Sequence, residues 1–159
     1  MTQIQTIIKR NYQVFADIPR PDHFTSFEHC DECFEHDETM QKAGLRTLEA
    51  KAMGTAGWSP LSFLTEDGLS YYMPRLLELS LNLDKNESGE LFLSLFVFHL
   101  VPTEDYDRFA RFNHQQCNAV LESLRFALSQ HRELIVEELI QEDIEAAIDY
   151  WQKKVTSPS

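Results

Sequence analysis

Between Glu28 and Glu38 the chain reads Glu-His-Cys-Asp-Glu-Cys-Phe-Glu-His-Asp-Glu, which gathers His29, Cys30, Cys33 and His36 into eight positions. Imidazole nitrogens and thiolate sulfurs are the donors zinc takes in a tetrahedral shell, so metal binding is the first chemistry to consider. On a helix, His29, Cys33 and His36 fall at i, i+4 and i+7 along one stripe, with Cys30 one turn before Cys33. Four donors on one rigid helix do not readily converge on a single ion. His23, in the preceding segment, is the candidate for a further ligand. A structural reading competes: Phe27, Cys30, Cys33, Phe34 and Met40 would give the same helix an apolar face, with the cysteines as small buried groups. The chain has no second Cys-x-x-Cys of the kind paired zinc modules use. A thioredoxin-type redox role calls for a strand–helix–strand setting, and the flanking sequence offers none.

The same window holds six carboxylates, Glu28, Asp31, Glu32, Glu35, Asp37 and Glu38, and no lysine or arginine. A second acidic face runs through Glu138, Glu142, Glu145 and Asp149 near the C-terminus. The whole chain carries a formal charge of −12, from 26 acidic and 14 basic residues. Such a field repels phosphate backbones and anionic membrane surfaces, and it steers basic proteins inward. The expected partner is therefore a basic protein, not nucleic acid and not a membrane. Trp58, Tyr106 and Trp151 are candidate aromatic anchors for it, with burial in the core as the competing reading of each.

Other chemistry is poorly represented. The chain has no phosphate-binding glycine loop, no Gly-x-Ser-x-Gly elbow and no His-Glu-x-x-His. Cys33 or Cys117 would need a histidine held beside it to act as a nucleophile, and nothing in the spacing specifies that. His99, His114 and His131 stand far apart. The reading is a non-enzymatic protein with no catalytic residues and no cofactor, zinc being the alternative.

The elements that must position these residues read as helices. The 159 residues, 43% of them hydrophobic, suffice for one domain with its own core. Ile4, Ile7, Ile8 and Phe15 define a first helix, capped by Thr2 and stopped by Pro19 and Pro21. Ser26 is the expected cap of a second helix over 27–42. A short helical piece follows over 48–53, then a turn with Ser59 and Pro60 in capping positions. Thr65 caps a helix that Pro74 should kink or divide. Residues 91–100 (LFLSLFVFHL) suit either a strand or a buried helix, and the lack of a partner strand favours the helix. Thr103 would cap a short helix through Phe112. Asn113 with Gln116 opens the next one as a capping box. A final helix is expected over 134–154, with 154–159 as a flexible tail. The expected fold is all-α: one compact domain over 1–159, with six to eight helices.

Several short motifs carry a family resemblance. They are Cys30-x-x-Cys33 with its acidic continuation, Phe63-Leu64-Thr65, Tyr71-Tyr72-Met73-Pro74, and His114-Gln115-Gln116 ahead of Val120-Leu121. Over most of residues 15–128 the chain resembles a group of short bacterial proteins of unknown function. Asp67-Gly68 departs from the proline and alanine-like helix start frequent in that group. Its size and acidity are also similar to those of immunity proteins, the cytoplasmic neutralisers of toxins. That likeness implies a bacterial protein that occludes the basic active-site cleft of a cognate toxin. The N-terminal residues show no basic segment followed by an apolar run, so the expected address is the cytoplasm.

Overall fold

A computed structural model describes residues 1–104 and 106–157. Among them the chain is all-α, a single compact domain of seven α-helices joined by three short 3₁₀ turns. α1 (Gln3–Val14) opens on a capping box in which the Thr2 hydroxyl and the Gln5 side chain each accept the other residue's amide. α2 (Asp31–Lys42) is followed by 3₁₀ turns at Ala50–Met53 and Pro60–Ser62. α3 (Glu66–Leu81) is capped by Thr65, with Glu66 and Asp67 at the positive end of its dipole. It continues past Pro74 as one helix, so the proline does not divide it.

Residues 91–100 resolve as helix: α4 (Phe92–Phe96) continues into a 3₁₀ turn at Val97–His99. The segment's β-prone residues find no ladder to join, since the only pairings among the described residues are isolated bridges. α5 (His114–Gln130) starts on the expected Asn113–Gln116 box. α6 (Arg132–Glu137) and α7 (Gln141–Thr156) complete the chain. α5 packs on α7 and α1, and α3 packs on α1 and α4. Trp151, Tyr72, Phe24, Phe92, Phe96 and Phe109 are its largest fully buried side chains. No helix among the described residues is long and apolar enough to cross a membrane.

Four local expectations are corrected. Ser26 does not cap α2; Cys30 does, because the His29 amide closes a turn onto the Ser26 carbonyl (2.8 Å) and delays the helix to Asp31. The segment from Thr103 to Phe112 contains turns and no helix among its described residues; the Phe109 amide bonds the Asp107 carboxylate at 2.8 Å. The single C-terminal helix is two helices, α6 and α7. They are split at Leu139, which adopts φ 60°. Its amide bonds Val136 and the next amide, of Ile140, bonds Ile135, a Schellman stop built on leucine where glycine is usual. Last, α7 holds Lys154, Val155 and Thr156 in regular helix, so the expected tail does not start at 154; Pro158 and Ser159 lie outside the described residues.

Candidate functional site

The Cys-x-x-Cys is the start of α2, and its geometry follows from how the preceding loop is held. Asp37, expected on the acidic surface, is buried instead. Its carboxylate accepts the Phe24 amide (2.5 Å), the Thr25 amide (3.3 Å) and the Gln41 side chain (2.7 Å), and it contacts His23 Nδ1 at 2.8 Å. Thr25 Oγ1 donates to the Cys33 carbonyl at 2.7 Å. These bonds bind the 23–25 loop to the first turns of α2. The far side of that loop lies on α3: Thr65 N–H donates to the Phe24 carbonyl at 2.9 Å. The backbone approach is so close that a Cβ at Gly68 would stand 2.6 Å from the Phe24 oxygen, which accounts for glycine in the first turn of α3. At the other end of α2, Tyr72 and Arg20 donate to its last carbonyls: the tyrosine hydroxyl to Met40 (2.7 Å), the guanidinium to Gln41 (2.9 Å), and both to Ala43. This gives the Tyr71-Tyr72-Met73-Pro74 motif a positional role.

Cys30 is exposed and extended, and its sulfur serves as N-cap, accepting the Cys33 amide at 3.3 Å. Cys33, three residues on, is buried, with its sulfur 3.0 Å from that of Cys30. His29 Nδ1 lies 3.8 Å from Cys33 Sγ. Hydrogen bonds from the Cys33 thiol, the Cys33 amide and His29 lower the Cys30 pKa to about 7. The same contact, with burial, raises that of Cys33. The surface thiol thus ionises more readily than its buried neighbour.

Of the five proposed metal donors, the structure groups three. His29, Cys30 and Cys33 have donor atoms within 4.8 Å of one another. His23 is engaged by Asp37 and stacks on Phe27, with ring centroids 3.6 Å apart. His36 is buried between Trp58 and Phe63, at 4.8 and 5.0 Å. The stripe fails because His29 precedes the helix and does not follow its 3.6-residue period.

Glu28, Asp31, Glu35 and Glu38 are exposed, and Glu32 is partly so. Beside them Phe34 and Trp58 are each 49% exposed. The second acidic group is also at the surface: Glu138 caps α6, and Glu142, Glu145 and Asp149 line α7. Asp149 is there paired with Lys153. Trp151, expected as an anchor, is fully buried, and its indole donates to the Leu100 carbonyl. Tyr106 is about half exposed.

Two histidines set a pH dependence. Burial, and then the Arg108 cation, hold the His99 pKa down to about 4, and burial also lowers that of His36. Each takes up its proton at a lower pH in the folded chain than in the unfolded chain, where protonation occurs near pH 6.5. The unfolded state therefore binds more protons, and stability is lost as pH falls below about 6.5 toward 4. Urea midpoints at pH 7.5 and 5.0 should show this fall, and a His36→Gln/His99→Gln variant should flatten it. An equal slope in the variant would mean other groups are responsible.

No curated protein and no solved structure matches the chain. Residues 3–155 match the family described as "Family of unknown function (DUF6714)", and the match runs from the first turn of α1 to the last turn of α7. The chain belongs to that family.

Proposed function

We propose that the protein is a non-enzymatic acidic protein-binding domain, a cytoplasmic bacterial immunity protein that occludes the basic active-site cleft of a toxin. One observation carries this reading. Among the described residues, Glu28, Asp31, Glu35 and Glu38 are exposed with no ion-pair partner. No lysine or arginine occurs between Arg20 and Lys42. Among the described residues Glu138, Glu142 and Glu145 on the second acidic face are also exposed and unpaired, whereas Glu66 and Asp67 are paired with Arg111, Glu78 with Arg75, and Glu122 with Arg10. Unneutralised carboxylates beside two half-exposed aromatic rings suit a cationic cleft: the charges steer the encounter and the rings supply anchors. The proposed mechanism needs no bond-making group, only that this face fill the space the toxin's substrate would occupy.

The test is co-expression with a toxin encoded next to this gene, followed by association kinetics. An Asp31→Lys/Glu35→Lys/Glu38→Lys variant leaves the buried Asp37 intact. It should associate about tenfold or more slowly at low salt, and the difference should shrink in 1 M salt. Full protection of cells by the variant, with an unchanged association rate, would eliminate this surface.

Zinc binding is the second reading, favoured by the grouping of His29, Cys30 and Cys33. Its donor set lacks a fourth member among the described residues. The sulfurs would also have to move apart, from 3.0 Å to about 3.8 Å, to share one tetrahedral zinc.

A further inference from the structure

The two sulfurs at the start of α2 differ in exposure and in the hydrogen bonds they make. Cys30 is exposed and sits at the N-terminus of a 12-residue helix, where the dipole and the Cys33 amide favour a thiolate. Cys33 is 5% exposed and lies in contact with it. The third cysteine, Cys117, is buried on α5, with its thiol directed at the Phe112 carbonyl (3.8 Å), and takes no part. An accessible attacking thiol with a shielded resolving thiol 3.0 Å behind it is the arrangement a dithiol needs to exchange with an external disulfide. It arises here without the strand–helix–strand setting, because a turn at Ser26–His29 and the Asp37 staple present the helix start in its place.

We propose that Cys30 and Cys33 form a reversible dithiol–disulfide couple, with Cys30 as nucleophile, selective for disulfides that carry positive charge. The Cys30 thiolate attacks one sulfur of a substrate disulfide. A Cys30–substrate mixed disulfide forms, and the first substrate thiolate leaves and takes a proton from solvent. Cys33 then loses its proton and attacks Cys30 Sγ. His29 Nδ1, 3.8 Å from Cys33 Sγ, is placed to receive that proton. The second substrate thiolate departs, leaving a Cys30–Cys33 disulfide. The substrate has gained two electrons, the protein has lost two, and a thiol reductant reverses both steps. Closure requires the sulfurs to move about 1 Å nearer, to the usual bond length. Selectivity comes from the rim: Glu28, Asp31 and Glu32 flank the two cysteines, and no cation in the 21–41 segment offsets them. An anionic disulfide meets repulsion there; a cationic one meets attraction.

Reduced full-length protein is exposed separately to cystamine (cationic), hydroxyethyl disulfide (neutral) and glutathione disulfide (anionic), then acid-quenched and mapped by mass spectrometry. The expected product is the Cys30–Cys33 linkage, with a mass loss of two hydrogens. Cystamine should react about tenfold faster than glutathione disulfide at low salt, and the rates should converge in 1 M salt. Cys33→Ser should accumulate the mixed disulfide on Cys30. Cys30→Ser, a change at an exposed position, should slow the reaction by at least about tenfold. The linkage map and Cys30→Ser stand as tests even if Cys33→Ser does not fold. A wild-type protein that stops at a mixed adduct, or reacts first at Cys117, overturns the proposal. So does a tightly held zinc ion, one per chain, that protects both thiols until a chelator removes it.

Discussion

Replacing Asp37 by alanine is expected to destabilise the fold by about 4 kcal/mol, and so to lower the thermal midpoint by roughly 10 °C. The carboxylate accepts two backbone amides and the Gln41 side chain while contacting His23, all from within 3.3 Å. Removing it leaves the Phe24 and Thr25 amides without an acceptor, and both residues are buried. Each orphaned buried donor costs about 1–3 kcal/mol, and a hydrogen bond to an ionised acceptor contributes about 1.5–3. His23 and Gln41 are exposed and can turn to water, so the loss stays below the sum of four bonds. Asp37→Asn keeps one acceptor oxygen and should cost about half as much. Denaturant unfolding measures both variants. A loss below about 1 kcal/mol for alanine would mean the loop is held mainly by Phe24 packing. The same substitution should loosen the start of α2, because the Thr25–Cys33 bond depends on the loop that Asp37 fixes.

That prediction also marks where the sequence misleads. Asp37 lies among six carboxylates, and composition alone gives no reason to set one apart. The distinguishing facts are two backbone amides more than ten residues earlier in the chain. Elements whose signals are local are legible: Thr2 with Gln5, Thr65 with two acids after it, and Asn113 with Gln116 each mark a helix start that the fold keeps. The helix over 92–99 is legible for a different reason, since a lone strand has no ladder to complete. The misread ends are those where tertiary contact replaces the usual residue. Leu83 and Leu139 both end helices with φ near 60°, a conformation that normally announces itself as glycine. At Cys30 a sulfur takes the capping place of a hydroxyl, which shifts the helix start by four residues from the expected 27 to 31. That shift dissolves the His29–Cys33–His36 stripe and leaves the dithiol pair in its place. The chemistry-bearing residues were therefore readable, but their mutual geometry was set by a turn and a buried carboxylate.

Trp151→Ala should cost about 4 kcal/mol in stability, within the range for emptying a large aromatic site. Trp151 is fully buried, and it meets Phe109 edge-on at 4.9 Å, Phe112 at 5.8 Å and the adjacent Tyr150 at 5.3 Å. Its indole N–H reaches the Leu100 carbonyl at 2.7 Å, joining α7 to the end of the 97–99 turn. Truncation opens a void where α7, α5 and the 107–112 turns converge, and it leaves that carbonyl without its donor. Trp151→Phe keeps much of the volume but loses the hydrogen bond, and should cost about 2 kcal/mol. Trp58→Ala is the comparison. Its ring is 49% exposed and touches His36, so its removal should cost only about 1 kcal/mol. The two tryptophans therefore separate structure from docking. If Trp151→Ala unfolded no more easily than Trp58→Ala, the C-terminal helix would not be part of the core. With the order as expected, any binding lost in the Trp58 variant belongs to the surface beside α2, because the fold beneath it remains intact.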